Sequence, residues 1–122
     1  MLNQDAAAYN KRALFRASTG DNDGAIADFT VVLQFSPMFA EAYYNRALAR
    51  TNNGDLDGAI SDYTFALNIN PSLVEAWYNR GVIRDAKGDF NGAINDFTVA
   101  LNFNPRFVDA YNNRGSVRQQ LG

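Results

Sequence analysis

The chain has 122 residues, 47% of them hydrophobic, which is enough for one globular core and too little for two independent ones. It contains no Cys and no His, which excludes disulfide frameworks, thiolate nucleophiles, zinc ribbons, imidazole bases and Ser-His-Asp triads. Eleven basic against thirteen acidic residues leave a net charge of −2, a poor balance for binding nucleic acid. No apolar run approaches the roughly 18 residues of a membrane span, and the start lacks the basic-then-apolar layout of a signal peptide. A soluble protein, cytoplasmic by default, is expected.

The predicted elements follow a 34-residue period, traced by Pro37, Pro71 and Pro105, by Gly20, Gly54 and Gly88, and by Asp28, Asp62 and Asp96. One domain over residues 1–122 is expected, divided into repeats at 6–39, 40–73 and 74–107, with 108–122 the first helix of a fourth. Residues 40–73 and 74–107 share 18 identities. Each unit reads as two helices. In the second, Tyr43, Ala47 and Arg50 mark one face of a helix from Ala40 to Asn53. Gly54 ends it in the left-handed conformation, and Asp55 caps the next helix. That helix carries a stripe of Ala59, Ile60, Tyr63, Ala66 and Leu67 and stops before Pro71, which disfavours helix at Asn70. Short connections make the two helices antiparallel neighbours, and stacking of successive pairs supplies the core.

This pattern resembles the tetratricopeptide repeat, whose 34-residue helix-turn-helix unit has recurring aromatic, small and closing-proline positions. The matching residues are Tyr9, Ala13, Ala25, Phe29 and Pro37, then Tyr43, Ala47, Ala59, Tyr63 and Pro71, then Trp77, Gly81, Ala93, Phe97 and Pro105. The resemblance implies an all-α, right-handed α-solenoid of antiparallel helix pairs with a concave groove lined by the first helices. It implies a non-enzymatic module for peptide or protein partners. The chain departs from the family in carrying Arg at two first-helix places in every unit: Arg12 and Arg16, Arg46 and Arg50, Arg80 and Arg84, Arg114 and Arg118.

Two readings of these arginines compete. They are a site for acidic ligands, or they pair with Asp28, Asp62 and Asp96 on the second helices, and the repeat-locked spacing favours pairing. The segments from Thr19 and Asn53 resemble the opening of a calcium loop. Thr30 and Thr64 stand where a bidentate Glu is required, so turns and caps are expected instead. Glu41 and Glu75 are first-turn carboxylates facing solvent rather than a catalytic pair. No phosphate loop or nucleotide fingerprint is present, and no cofactor or metal is expected.

Asparagine is the remaining signal, with fifteen in the chain. Asn45, Asn79 and Asn113 recur in mid-helix, where Asn has poor propensity, with Lys11 at the equivalent place in the first unit. The resemblance places them on the inner curve, where some relatives hold a peptide backbone with an asparagine ladder. A solvated polar face is the competing reading. Asn10, Tyr44, Tyr78, Asn112, Leu48 and Val82 stand nearby as side-chain contacts. Relatives that grip acidic chaperone tails use a clamp of Lys, Asn, Asn, Lys and Arg. Here the matching places hold Asn10, Leu14, Asn45, Glu75 and Asn79, which removes the required cations.

The alternatives to a peptide-binding module are a self-assembling array and an adaptor segment of a larger protein. Tyr111 and Val117 are expected on or near an open face of the last helix, and Met1–Asp5 offers no evident cap. Weak end-to-end self-association is therefore expected as well.

Overall fold

The computed structural model describes residues 3–122. These residues form α1 (Gln4–Ser18), α2 (Asn22–Phe35), α3 (Ala40–Asn52), α4 (Leu56–Ile69), α5 (Val74–Ala86), α6 (Phe90–Phe103) and α7 (Val108–Leu121), with no strand among them. They divide into two compact units. One ends at Asn70 and holds α1–α4; the other, Pro71–Gly122, holds α5–α7. No described helix is long and apolar enough to cross a membrane.

Each second helix opens in the same way. The side chains of Asp21, Asp55 and Asp89 accept the backbone N–H of Gly24, Gly58 and Gly92, each at 3.0 Å. The stretches that begin like calcium loops are therefore helix caps. Gly54 precedes its cap at φ +79°, a conformation in which a β-carbon is strained. At the far ends, Asn70 and Asn104 are extended, as the following prolines require. α1 starts two residues ahead of the expected repeat boundary because Asn3 accepts the Ala6 N–H at 2.7 Å. Met1 and Leu2, part of the stretch expected to offer no cap, lie outside the described residues.

Within the first unit, α1 packs on α2, α2 on α3, and α3 on α4. Phe29, Val32 and Leu33 of α2 are buried with Ala13, Ala42 and Ala49 of the first helices. In the second unit α6 lies between α5 and α7, and its Ala93, Phe97 and Ala100 are buried with Ala110 and Val117. Burial of a side chain the size of Phe97 contributes about 2–3 kcal/mol. Close approach of α5 to α6 depends on Gly81: a β-carbon there would stand 2.8 Å from Phe97 Cε1.

Val117 corrects one expectation. It is fully buried against the α6 core, because its direction on α7 faces back toward the preceding helix. Tyr111 is 64% exposed, on the open side as expected.

Candidate functional site

The Arg and Asp residues locked to the repeat meet in ion pairs. Asp28 accepts from Arg12 Nε at 2.8 Å and Nη2 at 2.7 Å, with Arg16 Nη1 at 3.2 Å. Asp62 does the same with Arg46 at 2.8 and 2.7 Å and Arg50 at 2.9 Å. Asp96 takes Arg80 at 2.9 and 2.8 Å, and Arg84 at 3.1 Å. All three carboxylates are buried, and each first arginine also lies over the ring three residues before it. Two-pronged bonding of this kind engages the guanidinium faces that an acidic ligand would need. These six arginines hold helix to helix.

The hydrogen bond from Arg12 holds the Asp28 carboxyl below its ordinary value; burial opposes this, and the charges of Arg12 and Arg16 add to it. A carboxyl depressed in the folded state stabilises the fold above the unfolded carboxylate range, near pH 4, and loses that contribution as the pH falls further. The melting temperature is therefore expected to fall below about pH 4–5, and Asp28→Asn to flatten part of that fall. Thermal melts of both proteins between pH 2.5 and 6 check it; parallel curves would remove Asp28 from the acid response.

In the first unit α1, α2 and α3 enclose an open cleft of about 290 Å³. Leu14, Ala17, Phe29, Leu48 and Ala49 form its apolar wall, and Ser18, Asn22, Asn45 and Asn52 bring polar groups to it. Leu14 is 45% exposed although apolar. Asn22 Oδ1 is buried and accepts no hydrogen bond, an acceptor left for a donor from elsewhere. Of the groove residues expected from the sequence, Asn45 and Leu48 stand in this cleft. Asn10 on α1 is half-buried, its Oδ1 also without a partner, and Lys11 is exposed. Tyr44 is half-buried, its ring edge-on to Tyr63 with centroids 5.8 Å apart.

In the second unit, Asn113 Nδ2 donates to the Tyr78 hydroxyl at 3.0 Å, so one amide donor of the ladder is used inside the protein. Burial pushes that hydroxyl above its ordinary value and the charge of Asp109 adds to the effect, against the pull of the Asn113 bond. Asn79 is half-buried on α5, whereas Val82 on α5 and Asn112 on α7 are exposed.

Asn22 was missed by sequence reasoning. Its signal is the break in the repeat: Leu56 and Phe90 hold the equivalent places, so a polar residue there departs from its own pattern.

Family models for the tetratricopeptide repeat match residues 40–73 and, as a TPR repeat, residues 86–122. No curated protein matches the sequence. Among solved structures, the chain is similar to the first TPR of Spaghetti (RPAP3) bound to the HSP90 peptide SRMEEVD. The TM-score is 0.91 at 26% identity, over 97% of this chain and 94% of that one. It is also similar to the Arabidopsis OM64 TPR domain, with a TM-score of 0.90 at 22% identity over 96% and 97%. The Sgt2 TPR domain from Aspergillus fumigatus gives 0.86 at 17%, over 98% and 81%. Helices without strands among the described residues, and neighbours of this similarity, identify an all-α tetratricopeptide-repeat solenoid. Period, capped helix pairs and family matches agree, and the chain belongs to the tetratricopeptide repeat family.

Proposed function

We propose that the chain is a non-enzymatic protein-interaction module whose first helices hold an extended segment of a partner protein. The observation that carries this reading is the first unit's cleft, where an apolar wall faces Asn45 and the unpartnered oxygen of Asn22. Such a surface suits an extended strand: side chains settle on Leu14 and Leu48 while amides bond the backbone N–H and C=O groups. In this reading Asn10 and Lys11 extend the same face of the first unit, and Asn79 and Asn113 serve the second, with Tyr78, Val82 and Asn112 beside them. Peptide binding by the Spaghetti relative supports the class of partner.

Each amide-to-backbone bond contributes about 0.5–1.5 kcal/mol net, so micromolar affinity is expected. A peptide selected from a random display library on the intact chain provides the probe. Replacing Asn22 and Asn45 together by Ala is expected to weaken it by about 1–3 kcal/mol while leaving the helices formed. Equal affinity in the double variant would show that the asparagines only face water.

The peptide SRMEEVD is expected not to bind. Asn10, Glu75 and Asn79 occupy the clamp places that need cations, and the exposed Glu75 repels an acidic tail. Calorimetric titration decides it, and a low-micromolar curve would overturn the assignment.

Self-association is the second reading, favoured by one observation. Phe15 is 67% exposed although Ala49, Ile83 and Val117, at the same repeat offset, are buried. Light scattering over a hundredfold concentration range distinguishes it from a strict monomer.

A further inference from the structure

The cleft of the first unit lies where the repeat loses two of its larger apolar side chains. In the third repeat Phe90 opens α6 and packs, half-buried, against the core that holds Phe97 and Val117. Leu56 has the same place in the second repeat. In the first that place is Asn22, and Ala49 stands where α7 has Val117. Both residues line the cleft, so a ring and a branched side chain are missing where about 290 Å³ is open. The fully buried Phe29 forms part of its wall. Among the described residues, none that lines it is charged. Asn22 Oδ1 is buried without a hydrogen-bond partner. The last side-chain torsion of Asn has a broad energy well, so a small turn of the amide brings this oxygen to a donor in the cleft.

We infer that this cleft takes one aromatic side chain of the bound segment, with a hydrogen-bond donor on its ring: a tyrosine or a tryptophan. The inference rests on the interaction-module reading and adds the residue type that the site selects. The third repeat fills the equivalent place with a ring of its own, Phe90, whereas the first leaves the ring to come from a partner. There it would lie against Leu14, Phe29 and Leu48, and its O–H or N–H would give Asn22 the donor it lacks. A charged side chain in the same place would be taken out of water with no counter-charge, so acidic and basic residues are rejected.

The probes are N-acetyl-tyrosinamide, N-acetyl-tryptophanamide and N-acetyl-phenylalaninamide, titrated into the intact chain and followed by amide NMR. Molecules this small are expected to bind with dissociation constants of about 1 mM. Saturable shifts are expected at Ser18, Asn22, Leu48 and Asn52. The phenylalanine probe should bind about two- to tenfold more weakly than the better of the other two, the loss of one hydrogen bond. In the chain, Asn22→Phe introduces the third repeat's residue. It is expected to abolish the shifts and to raise the melting temperature by a few degrees. Asn22→Leu, with the second repeat's residue, makes the same test if the ring fails to pack. No saturable shifts at these residues up to about 10 mM probe overturns the proposal. Undiminished shifts in a folded Asn22→Phe or Asn22→Leu chain, or a phenylalanine probe that binds as tightly as both others, does the same. A library-selected peptide that binds the original and Asn22→Phe chains equally also overturns it, and leaves the interaction module standing. Probe binding in the cleft of a chain that selects no peptide supports the ring site and overturns the module instead.

Discussion

Asp96→Ala is expected to lower stability by about 3 kcal/mol, roughly 10 °C in melting temperature for a chain of this size. The carboxylate is buried and takes two bonds from Arg80, whose side chain is only 9% exposed. Its removal leaves a guanidinium that water reaches poorly, and the cost is that of an uncompensated charge rather than of one lost contact. The same substitution should cost less at Asp62, where Arg46 is 14% exposed, and least at Asp28, where Arg12 is 52% exposed and water replaces the lost partner. The order across the three sites, read from thermal melts, tests the structural account of the arginines. Unmoved melting curves, or the reverse order, would return them to a ligand-binding role. Replacing Arg80 by Met and Asp96 by Leu together should recover most of the loss, since apolar side chains need no partner.

A core substitution ranks beside it. Phe97→Ala is expected to cost about 3–5 kcal/mol, because the ring is fully buried and α5 approaches it closely enough to leave a cavity. Gly81→Ala places a methyl against that ring. About 1–2 kcal/mol of crowding is offset in part by the better helix propensity of Ala. In the Phe97→Ala background the crowding vanishes and the same methyl fills space, so Gly81→Ala should stabilise by roughly 1 kcal/mol. Urea unfolding of the four proteins measures the coupling. Additivity within about 0.5 kcal/mol would show that the two residues do not press on each other.

The regular parts of this fold rest on interactions that reach only a few residues along the chain. Asp21, Asp55 and Asp89 cap the helix three residues on, Gly54 turns the backbone at one position, and Pro71 acts on Asn70. Because these signals recur at a fixed period, helix type, helix limits and repeat register are legible directly in the sequence. The Arg–Asp pairs are legible for the same reason: sixteen residues separate Arg12 from Asp28, and that interval recurs with the repeat. The candidate site was read less fully. Asn45 and Leu48 were found through periodicity, and Leu14 holds the same repeat place as Leu48, while Asn22, in the same cleft, interrupts the pattern and gave no periodic signal. Nor could periodicity separate Val117, buried under α6, from Phe15 at the same offset, which stands 67% exposed on α1. Nor could it show that Asn113 turns its amide to Tyr78. Burial and hydrogen-bond choice depend on which surfaces meet in space, and identical repeat positions have different neighbours wherever a helix lacks one, so those outcomes belong to the packing of the helices.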